Sequence, residues 1–333
     1  MWYISFHGGS KGINNIRVYH DNGNPHSQPD LLPTGGSNPL LQELRGLVIV
    51  GNLLYVVNAY IKCSQILVYE ADGNAGYHFK EVFADDTINS ILHPYDLTFD
   101  SQGHCYVSNQ DTNVVTGLQG ANSALPVASY LQRHYSPSDN FLKGTIVASS
   151  KGALPGIPTA PPPDVSTPPG QGLEVGFTPN LKKVNHSVRG VLSYGDYLYV
   201  ADEPADAVKV YDLSTGKLYG QIAGDKLKRP VQLLLRANTT ELYISSSGND
   251  SVMSYDLSHG PPSGIVAPRM FISGEVKNIS GMAFDADGCF YAAERIAKRI
   301  KKFPADGSGA GEHFIKLLPD EPEFILYVPR GNH

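Results

Sequence analysis

Cysteine is scarce in this chain. Its 333 residues include three cysteines, Cys63, Cys105 and Cys289, and their spacing matches neither a disulfide framework nor a metal-binding cluster. Cys105 and Cys289 fall inside hydrophobic strand patterns, where a thiol behaves as a small buried apolar group. We therefore expect no disulfide scaffold and no metal centre built on cysteine.

Positive charge is not in excess either. The chain has 26 Lys and Arg against 32 Asp and Glu, a formal net charge of −6. Nucleic-acid binding calls for a basic stripe and a membrane span calls for about 20 apolar residues, and the sequence has neither. Residues 1–6 enter a strand pattern without the charged and apolar regions of a secretion signal. We expect a cytoplasmic protein with no nucleic-acid or membrane partner.

Familiar catalytic motifs are also missing. There is no Gly-x-Ser-x-Gly elbow, and the glycine-rich residues 8–12 lack the strand-to-helix context of a phosphate-binding loop. No His-x-x-x-His spacing suggests a metal. The sequence thus predicts no metal site and leaves any cofactor unknown.

What the chain does contain is a repeated hydrophobic strand pattern centred on tyrosine. Successive marker tyrosines are separated by 52, 51, 93, 44 and 48 residues. Steps of about 40 to 50 residues are typical of four-stranded propeller blades. The marker segments are Trp2-Tyr3-Ile4, Leu54-Tyr55-Val56, Cys105-Tyr106-Val107, Leu198-Tyr199-Val200, Leu242-Tyr243-Ile244 and Phe290-Tyr291-Ala292.

A second repeated segment precedes the markers and predicts the inner strand of each blade. Its copies are residues 44–47, 94–97, 188–191, 230–233 and 279–282. Residues 322–328 also read as an inner strand but have no blade after them, whereas the N-terminus starts at the second strand position. Pairing residues 324–328 with residues 2–6 would close an all-β, six-bladed propeller and remove its exposed edges. Seven blades is the alternative, because the 93-residue step is long enough to contain another.

The long step includes a proline-rich insertion at about residues 150–185, within a single propeller domain spanning residues 1–333. Proline favours extended backbone and cannot donate to a strand ladder, so we expect a loop. Residues 144–148, just before it, read as an outer strand. Because the insertion leads into an inner strand, we expect it on the face of the channel mouth. There it would be a solvent-exposed surface loop, a lid or a docking site for a protein partner.

These repeats resemble those of the NHL and YVTN β-propeller families over most of the chain outside the insertion. The resemblance is carried by Tyr199-Val200-Ala201-Asp202 with residues 207–212, and by residues 242–256 and 290–295. The same superfamily contains calcium-dependent lactonases of the regucalcin and gluconolactonase type. That distant likeness implies acidic or amide ligands at one inner-strand position. Here those positions hold Arg45, Tyr95, Arg189, Val231 and Ser280, so the metal-lactonase pattern is not matched.

Arginine at two of these equivalent positions suggests a site for an anion. Guanidinium groups bind carboxylates and phosphates through paired hydrogen bonds, so Arg45 and Arg189 are predicted to hold the ligand. The alternative is that each arginine pairs with a nearby carboxylate and holds blades together. His93, His186 and Tyr95 are the candidate catalytic residues, with histidine transferring protons. Further candidate ligand-binding residues, at the ends of second strands, are Asn58, Asn109, Asp202 and Glu294.

Together these residues favour a small-molecule-binding propeller. Its activity would be of hydrolase or lyase type, on a small anionic substrate at the mouth of the central channel. The alternative is a protein-interaction scaffold without catalysis. Tyr130, Tyr135 and Phe141 would then provide aromatic anchors beside the proline-rich insertion.

Overall fold

The chain is almost entirely β-strand. The computed structural model describes residues 1–73, 76–86, 91–110, 114–118, 131–135, 147–148, 187–213 and 218–329. Within them lie 26 strands in six sheets, together with a 3-10 turn at Ser247–Asn249. The sheets are the blades of a six-bladed β-propeller, so the predicted all-β fold with six blades is confirmed.

The strands of the first three sheets along the chain have these bounds. One sheet has the order β26-β1-β2-β3 and comprises β1 (Trp2–Phe6), β2 (Arg17–Tyr19), β3 (Pro25–Asp30) and β26 (Pro322–Tyr327). The next comprises β4 (Leu44–Val50), β5 (Leu53–Asn58), β6 (Gln65–Ala71) and β7 (Tyr77–Asp85). The third comprises β8 (Pro94–Phe99), β9 (Cys105–Asn109), β10 (Val114–Leu118), β11 (Leu131–Tyr135) and β12 (Val147–Ala148).

The remaining three sheets follow the same plan. One comprises β13 (Val188–Tyr194), β14 (Tyr197–Asp202), β15 (Ala207–Asp212), β16 (Leu218–Ala223) and, parallel to β16, β20 (Gly264–Val266). Another comprises β17 (Pro230–Leu235), β18 (Glu241–Ser246), β19 (Ser251–Asp256) and β21 (Arg269–Ile272). The last comprises β22 (Ile279–Phe284), β23 (Phe290–Glu294), β24 (Arg299–Phe303) and β25 (Glu312–Ile315).

The long step between marker tyrosines contains the outer strands β10 to β12. The predicted outer strand at residues 144–148 is represented by β12, and its first three residues lie outside the described part of the chain. The proline-rich insertion at about residues 150–185 lies outside it as well, as do Tyr130 and Phe141. Tyr135 ends β11.

The chain divides into two compact units. The first unit comprises residues 1–83, 234–255 and 269–333, and the second comprises residues 84–233 and 256–268. In the second unit, apolar side chains of β9 and β10 pack with those of β13 to β15. This core includes Tyr106, Val115, Val191, Val200 and Tyr211.

In the first unit, both faces of β1 are covered by other strands. All five residues of β1 are buried. Tyr3 belongs to a core that includes side chains of β4 to β7, whereas Trp2, Ile4 and Phe6 pack with side chains of β22 to β25. This division follows from the alternation of side chains along a strand. The second strand of a blade has both faces covered and must therefore be apolar at nearly every position. This is the repeated pattern seen in the sequence.

The predicted closure of the propeller by the two chain ends is confirmed. Strand β26 pairs antiparallel with β1, with Trp2 opposite Tyr327 and Ile4 opposite Ile325. The Val328 N–H donates to the Met1 carbonyl at 2.8 Å, which continues the ladder by one pair. Because β1 has β2 on its other side, this pairing leaves it with no open edge.

Five inner strands carry the same β-bulge near their first residue. The register shifts at the start of β4, β8, β13, β22 and β26 relative to the second strand of each sheet. A bulge leaves one residue unpaired and redirects its side chain. The inner strands β22 and β26 also lie close together near these bulges. A Cβ added at Gly281 would lie 2.9 Å from the backbone nitrogen of Ile325. The bulges thus fix where the polar side chains of these strands lie.

Candidate functional site

The bulge positions hold residues that the repeat places at one equivalent position of the inner strands. They are Arg45 on β4, Tyr95 on β8, Arg189 on β13 and Ser280 on β22. On β26 the equivalent residue is Glu323, which falls in the same shift between Pro322 and Phe324. Glu323 therefore extends the series of Arg45, Tyr95, Arg189 and Ser280 to the closing strand, a position that the repeat in the sequence did not predict.

In the first unit, Glu323 is the centre of a buried ionic cluster. Its side chain is 4% exposed, and Oε1 lies 2.9 Å from Arg45 Nη1 and 2.9 Å from Arg295 Nε. The Nδ1 atom of His7 is 3.0 Å from the same carboxylate oxygen. Glu321 adds a second contact to Arg295 at 3.1 Å. Two arginines and a histidine thus converge on one interior carboxylate.

The charges around Glu323 hold it ionised. Burial acts to raise the pKa of Glu323, but the Arg45 charge, the His7 hydrogen bond and the Arg295 charge outweigh it and hold the pKa below its ordinary value. Arg45 is itself only 5% exposed. The guanidinium of Arg45 is therefore committed to an internal carboxylate, which is the alternative considered for this arginine from the sequence.

In the second unit, Arg189 stands at the centre of a more open cluster. Its Nε lies 2.7 Å from Glu203 Oε2, and its Nη1 donates to the Gln110 side chain. The guanidinium carbon lies 5.0 Å from the centroid of the Tyr95 ring, a cation–π arrangement. The structure thus brings together two of the predicted residues, Tyr95 and Arg189.

Arg229 joins this cluster from the turn before β17. Its Nε donates to Glu203 Oε1 at 3.0 Å, while its side chain stays 64% exposed. The backbone N–H of Arg229 donates to Asp206, which also pairs with Lys228 at 3.0 Å. Burial acts to raise the pKa of Glu203, but Arg189 and Arg229 hold it below its ordinary value. Three cationic side chains here share two carboxylates.

Asp96, one residue after Tyr95, links two inner strands of the second unit. Its carboxyl oxygens accept the backbone N–H groups of Leu97 at 2.9 Å and Val191 at 3.2 Å. The side chain is buried, with 3% exposure. Burial raises the pKa of Asp96 to about 7, although both backbone hydrogen bonds act to lower it. This carboxyl group therefore titrates near neutral pH.

Three candidate ligand-binding residues each accept a backbone hydrogen bond from the loop that precedes an inner strand. Asn58 Oδ1 accepts the Gln42 N–H at 2.9 Å, and Asn109 Oδ1 accepts the Leu92 N–H at 2.9 Å. Glu294 Oε1 accepts the Lys277 N–H at 2.8 Å. Each acceptor ends a second strand, and each donor lies two residues before an inner strand. The side chains are fully buried, so a ligand-binding role for them stays a prediction beside this bonding to the backbone.

The remaining predicted residues occupy different settings. His93 adopts a left-handed backbone conformation with φ of 48°, and its carbonyl accepts the Gln110 N–H at 3.3 Å. Asp202 is buried at the end of β14, opposite Val188. His186 lies outside the described residues. Arg45 belongs to the first unit and Arg189 to the second. The catalytic and ligand-binding roles of all these residues stay predictions.

Two further features are absent from the part of the chain that the structure describes. No group of three or more His, Cys, Asp or Glu is placed to hold a metal ion. No helix among these residues has the length and apolar composition needed to cross a membrane.

Comparison with known proteins gives the fold and no family. No protein-family model matches the chain, and no curated protein matches it, so the likeness to NHL and YVTN repeats stays a resemblance. Among solved structures, one similar chain is a candidate 6-phosphogluconolactonase from Bacteroides fragilis. It is 13% identical with a TM-score of 0.57, covering 98% of this chain and 97% of that chain.

Two other similar structures are a protein complex and a lyase. A chain of a nidogen–laminin complex is 10% identical with a TM-score of 0.58, covering 98% of this chain and 97% of that chain. Virginiamycin B lyase from Staphylococcus aureus is 10% identical with a TM-score of 0.43, covering 87% of this chain and 71% of that chain. The likeness to the first two structures, whose TM-scores exceed 0.5, shows the propeller fold alone at these identities, and one fold can serve unrelated functions.

Proposed function

We propose that this protein is a small-molecule-binding β-propeller that takes an anionic ligand on the Arg189–Arg229 cluster. The observation that carries the proposal is the gathering of three cationic groups at one place: Arg189, Lys228 and Arg229 contact Glu203 and Asp206. Local positive charge in a protein of net charge −6 attracts an anion. The exposed Arg229 guanidinium makes this charge accessible.

The partners of Arg189 support its use as a fixed contact for the ligand. Glu203 and Gln110 hold its guanidinium against the Tyr95 ring, so little side-chain entropy is lost when a ligand binds. Arg45, by contrast, is almost fully enclosed with Glu323. We therefore assign ligand binding to the Arg189–Arg229 cluster and an internal, blade-joining role to Arg45.

The catalytic form of this proposal is a hydrolase or lyase reaction on the bound anion. His93 is its proton-transfer candidate in the described chain, because it lies two residues before Tyr95 and its carbonyl bonds the backbone of Gln110. Tyr95 and Gln110 both contact Arg189. Catalysis would be measured as turnover of whichever anion binds, and its loss in a His93→Gln variant with ligand affinity kept would support the assignment.

Binding can be tested by calorimetry with citrate, inorganic phosphate and 6-phosphogluconate, which together present carboxylate and phosphate groups. We expect Arg229→Ala to weaken the binding of the responding anion about 10- to 140-fold, because a hydrogen bond to a charged group contributes about 1.5 to 3 kcal/mol. Raising the salt concentration should weaken binding in the parent protein as well.

The matched control is Arg269→Ala. Arg269 is 66% exposed and pairs with Glu241 at 2.5 Å, as Arg229 pairs with Glu203, but it lies in the first unit. This control should keep full affinity. Equal affinity of the parent, Arg229→Ala and Arg189→Ala proteins for every anion that binds would overturn the proposal, as would no binding at millimolar concentration.

A further inference from the structure

The most exposed apolar side chains of the described residues gather on neighbouring loops of the first unit. Leu317 is 78% exposed, Ile296 64%, Leu40 63% and Ile61 46%. Each lies in a loop between two strands. They are four of the five most exposed large apolar side chains described, and the fifth, Ile265, belongs to β20 of the second unit. Exposed apolar groups that cluster in this way mark a surface that binds a partner.

The loops that carry these side chains form one continuous surface, because each is hydrogen-bonded to the next. The bonds are Leu318 N–H to the Lys298 carbonyl, Ile13 N–H to the Asp320 carboxylate, Glu43 N–H to the Asn14 side chain and Ala59 N–H to the Glu43 carbonyl, at 2.6, 2.9, 3.4 and 3.2 Å. We call this the loop surface; it comprises residues 7–16, 31–43, 59–64, 295–298 and 316–321.

The loop surface is positively charged although the protein is acidic. Its loops hold five basic residues and three acidic ones, whereas the whole chain has a net charge of −6. Its fully exposed charged residues are Lys11, Lys62 and Lys316. The acidic residues are less exposed: Asp320 accepts the N–H groups of Gly8 and Ile13, and Glu321 pairs with Arg295 at 3.1 Å. The surface is therefore complementary to a negatively charged partner.

A membrane fits the loop surface better than a protein does. Basic and apolar side chains are adjacent on it, since Lys62 follows Ile61 and Leu317 follows Lys316. Lysine is depleted from protein–protein interfaces, whose cores exclude charge. At a bilayer, in contrast, apolar side chains enter the boundary between headgroups and acyl chains while neighbouring lysines meet anionic lipids. A second copy of the same surface would be repelled by its like charge.

We propose that the loop surface docks this protein reversibly on an anionic membrane. Its four exposed apolar side chains enter the headgroup boundary, and its three exposed lysines contact the anionic headgroups. The expectation of no membrane partner rested on the absence of a spanning segment, and a surface assembled from five loops needs none. The loop surface shares no residue with the Arg189–Arg229 cluster, so either proposal can fail alone.

The charged half of the proposal can be tested by sedimentation with phosphatidylcholine vesicles, prepared with and without phosphatidylserine. We expect the full-length chain to bind the phosphatidylserine vesicles more tightly, and added salt to weaken this binding. Lys62→Ala should weaken it about fivefold, as one lysine near an anionic surface contributes. Lys80→Ala is the control, because Lys80 lies on β7, outside the loop surface, and it should bind as the parent does.

The apolar half is tested by the double variant Ile296→Ser with Leu317→Ser. Both side chains are exposed, so the variant should fold as the parent does, but its affinity for phosphatidylserine vesicles should fall about tenfold or more. Ile265→Ser is the matched control, because Ile265 is 72% exposed and lies on β20. Arg229→Ala should also bind these vesicles as the parent does, which separates the loop surface from the Arg189–Arg229 cluster.

Insertion itself can be read from Leu317→Trp. The natural chain has one tryptophan, Trp2, which is buried. On phosphatidylserine vesicles the emission of the added indole should shift to shorter wavelength, and lipids with brominated acyl chains should quench it. Ile265→Trp should show neither effect.

The proposal fails if the parent does not sediment with phosphatidylserine vesicles at low salt, or if it sediments equally with both kinds of vesicle. It also fails if the double serine variant keeps the parent's affinity, or if the indole of Leu317→Trp is not quenched. Binding to poly-L-glutamate without binding to vesicles would overturn it as well, and would assign the loop surface to an acidic protein.

Discussion

Glu323 is a carboxylate kept ionised in the interior by neighbours from three separate stretches of the chain. Arg45, His7 and Arg295 all contact it. Removing one partner of a buried ion pair leaves the others with uncompensated charge. We therefore expect Glu323→Gln to lower the free energy of unfolding by about 3 to 5 kcal/mol in urea denaturation. Glu241→Gln, which breaks the pair with the exposed Arg269, should cost about 1 kcal/mol or less.

The direction of the Glu323 pKa also sets a pH dependence. Because its folded pKa lies below the ordinary value, its stabilising contribution is present above the unfolded pKa of about 4.3. That contribution is lost as the pH falls through the folded pKa. In Glu323→Gln this part of the acid destabilisation should be missing, and an unchanged acid profile would contradict our account of the cluster.

Asp96 has the opposite behaviour. Its pKa is raised to about 7 by burial, against about 3.9 in the unfolded chain, so the folded protein binds an extra proton between these values. The contribution to stability is then greatest below about pH 4 and declines as the pH rises towards 7. Urea midpoints at pH 5 and pH 7.5 should show this decline, and Asp96→Asn should reduce it. The exposed Asp225→Asn should not, and an equal decline in Asp96→Asn would contradict the assignment.

At the scale of strands, the sequence predicted the positions of the side chains better than their partners. The repeat placed Arg45, Tyr95 and Arg189 at equivalent inner-strand positions, and all three fall at bulges. Arg45 contacts Glu323, which is 278 positions away in the chain. Arg189 contacts Gln110 and Glu203, which are 79 and 14 positions away. Local pattern carries no information on such pairings. Glu323 could have been found by extending the inner-strand series to residues 322–325.

The closing strand gives a prediction for a whole element. Deleting residues 322–333 removes β26 and exposes the edge of β1, which carries five buried residues. Such an edge pairs with other chains, so we expect aggregation by size-exclusion chromatography and loss of cooperative unfolding. A chain that lacks only residues 329–333 keeps every β1–β26 pair and should remain a well-folded species. Normal behaviour of the longer deletion would contradict the closure.

For the whole molecule, periodicity was sufficient to predict the architecture. Each central strand must be apolar on both faces because both are covered, as β1 shows, and that requirement repeats with every blade. The same regularity explains why six blades could be counted from tyrosines. It also explains why the ligand could not be inferred, because the groups that would contact a ligand stand at loop and bulge positions that the repeat leaves free to vary. The 93-residue step departs from the period and therefore gave the weakest prediction.

Pairing of the first strand with the last has a consequence for how the protein is made. Trp2 leaves the ribosome more than three hundred residues before its neighbour Tyr327. At about 5 to 20 residues per second, the apolar strand β1 is synthesised roughly 15 to 65 s before its partner β26. Throughout that interval the nascent chain presents Trp2, Ile4 and Phe6 without their final cover. Synthesis of this protein should therefore depend on chaperones that shield an early hydrophobic segment until β26 has been made.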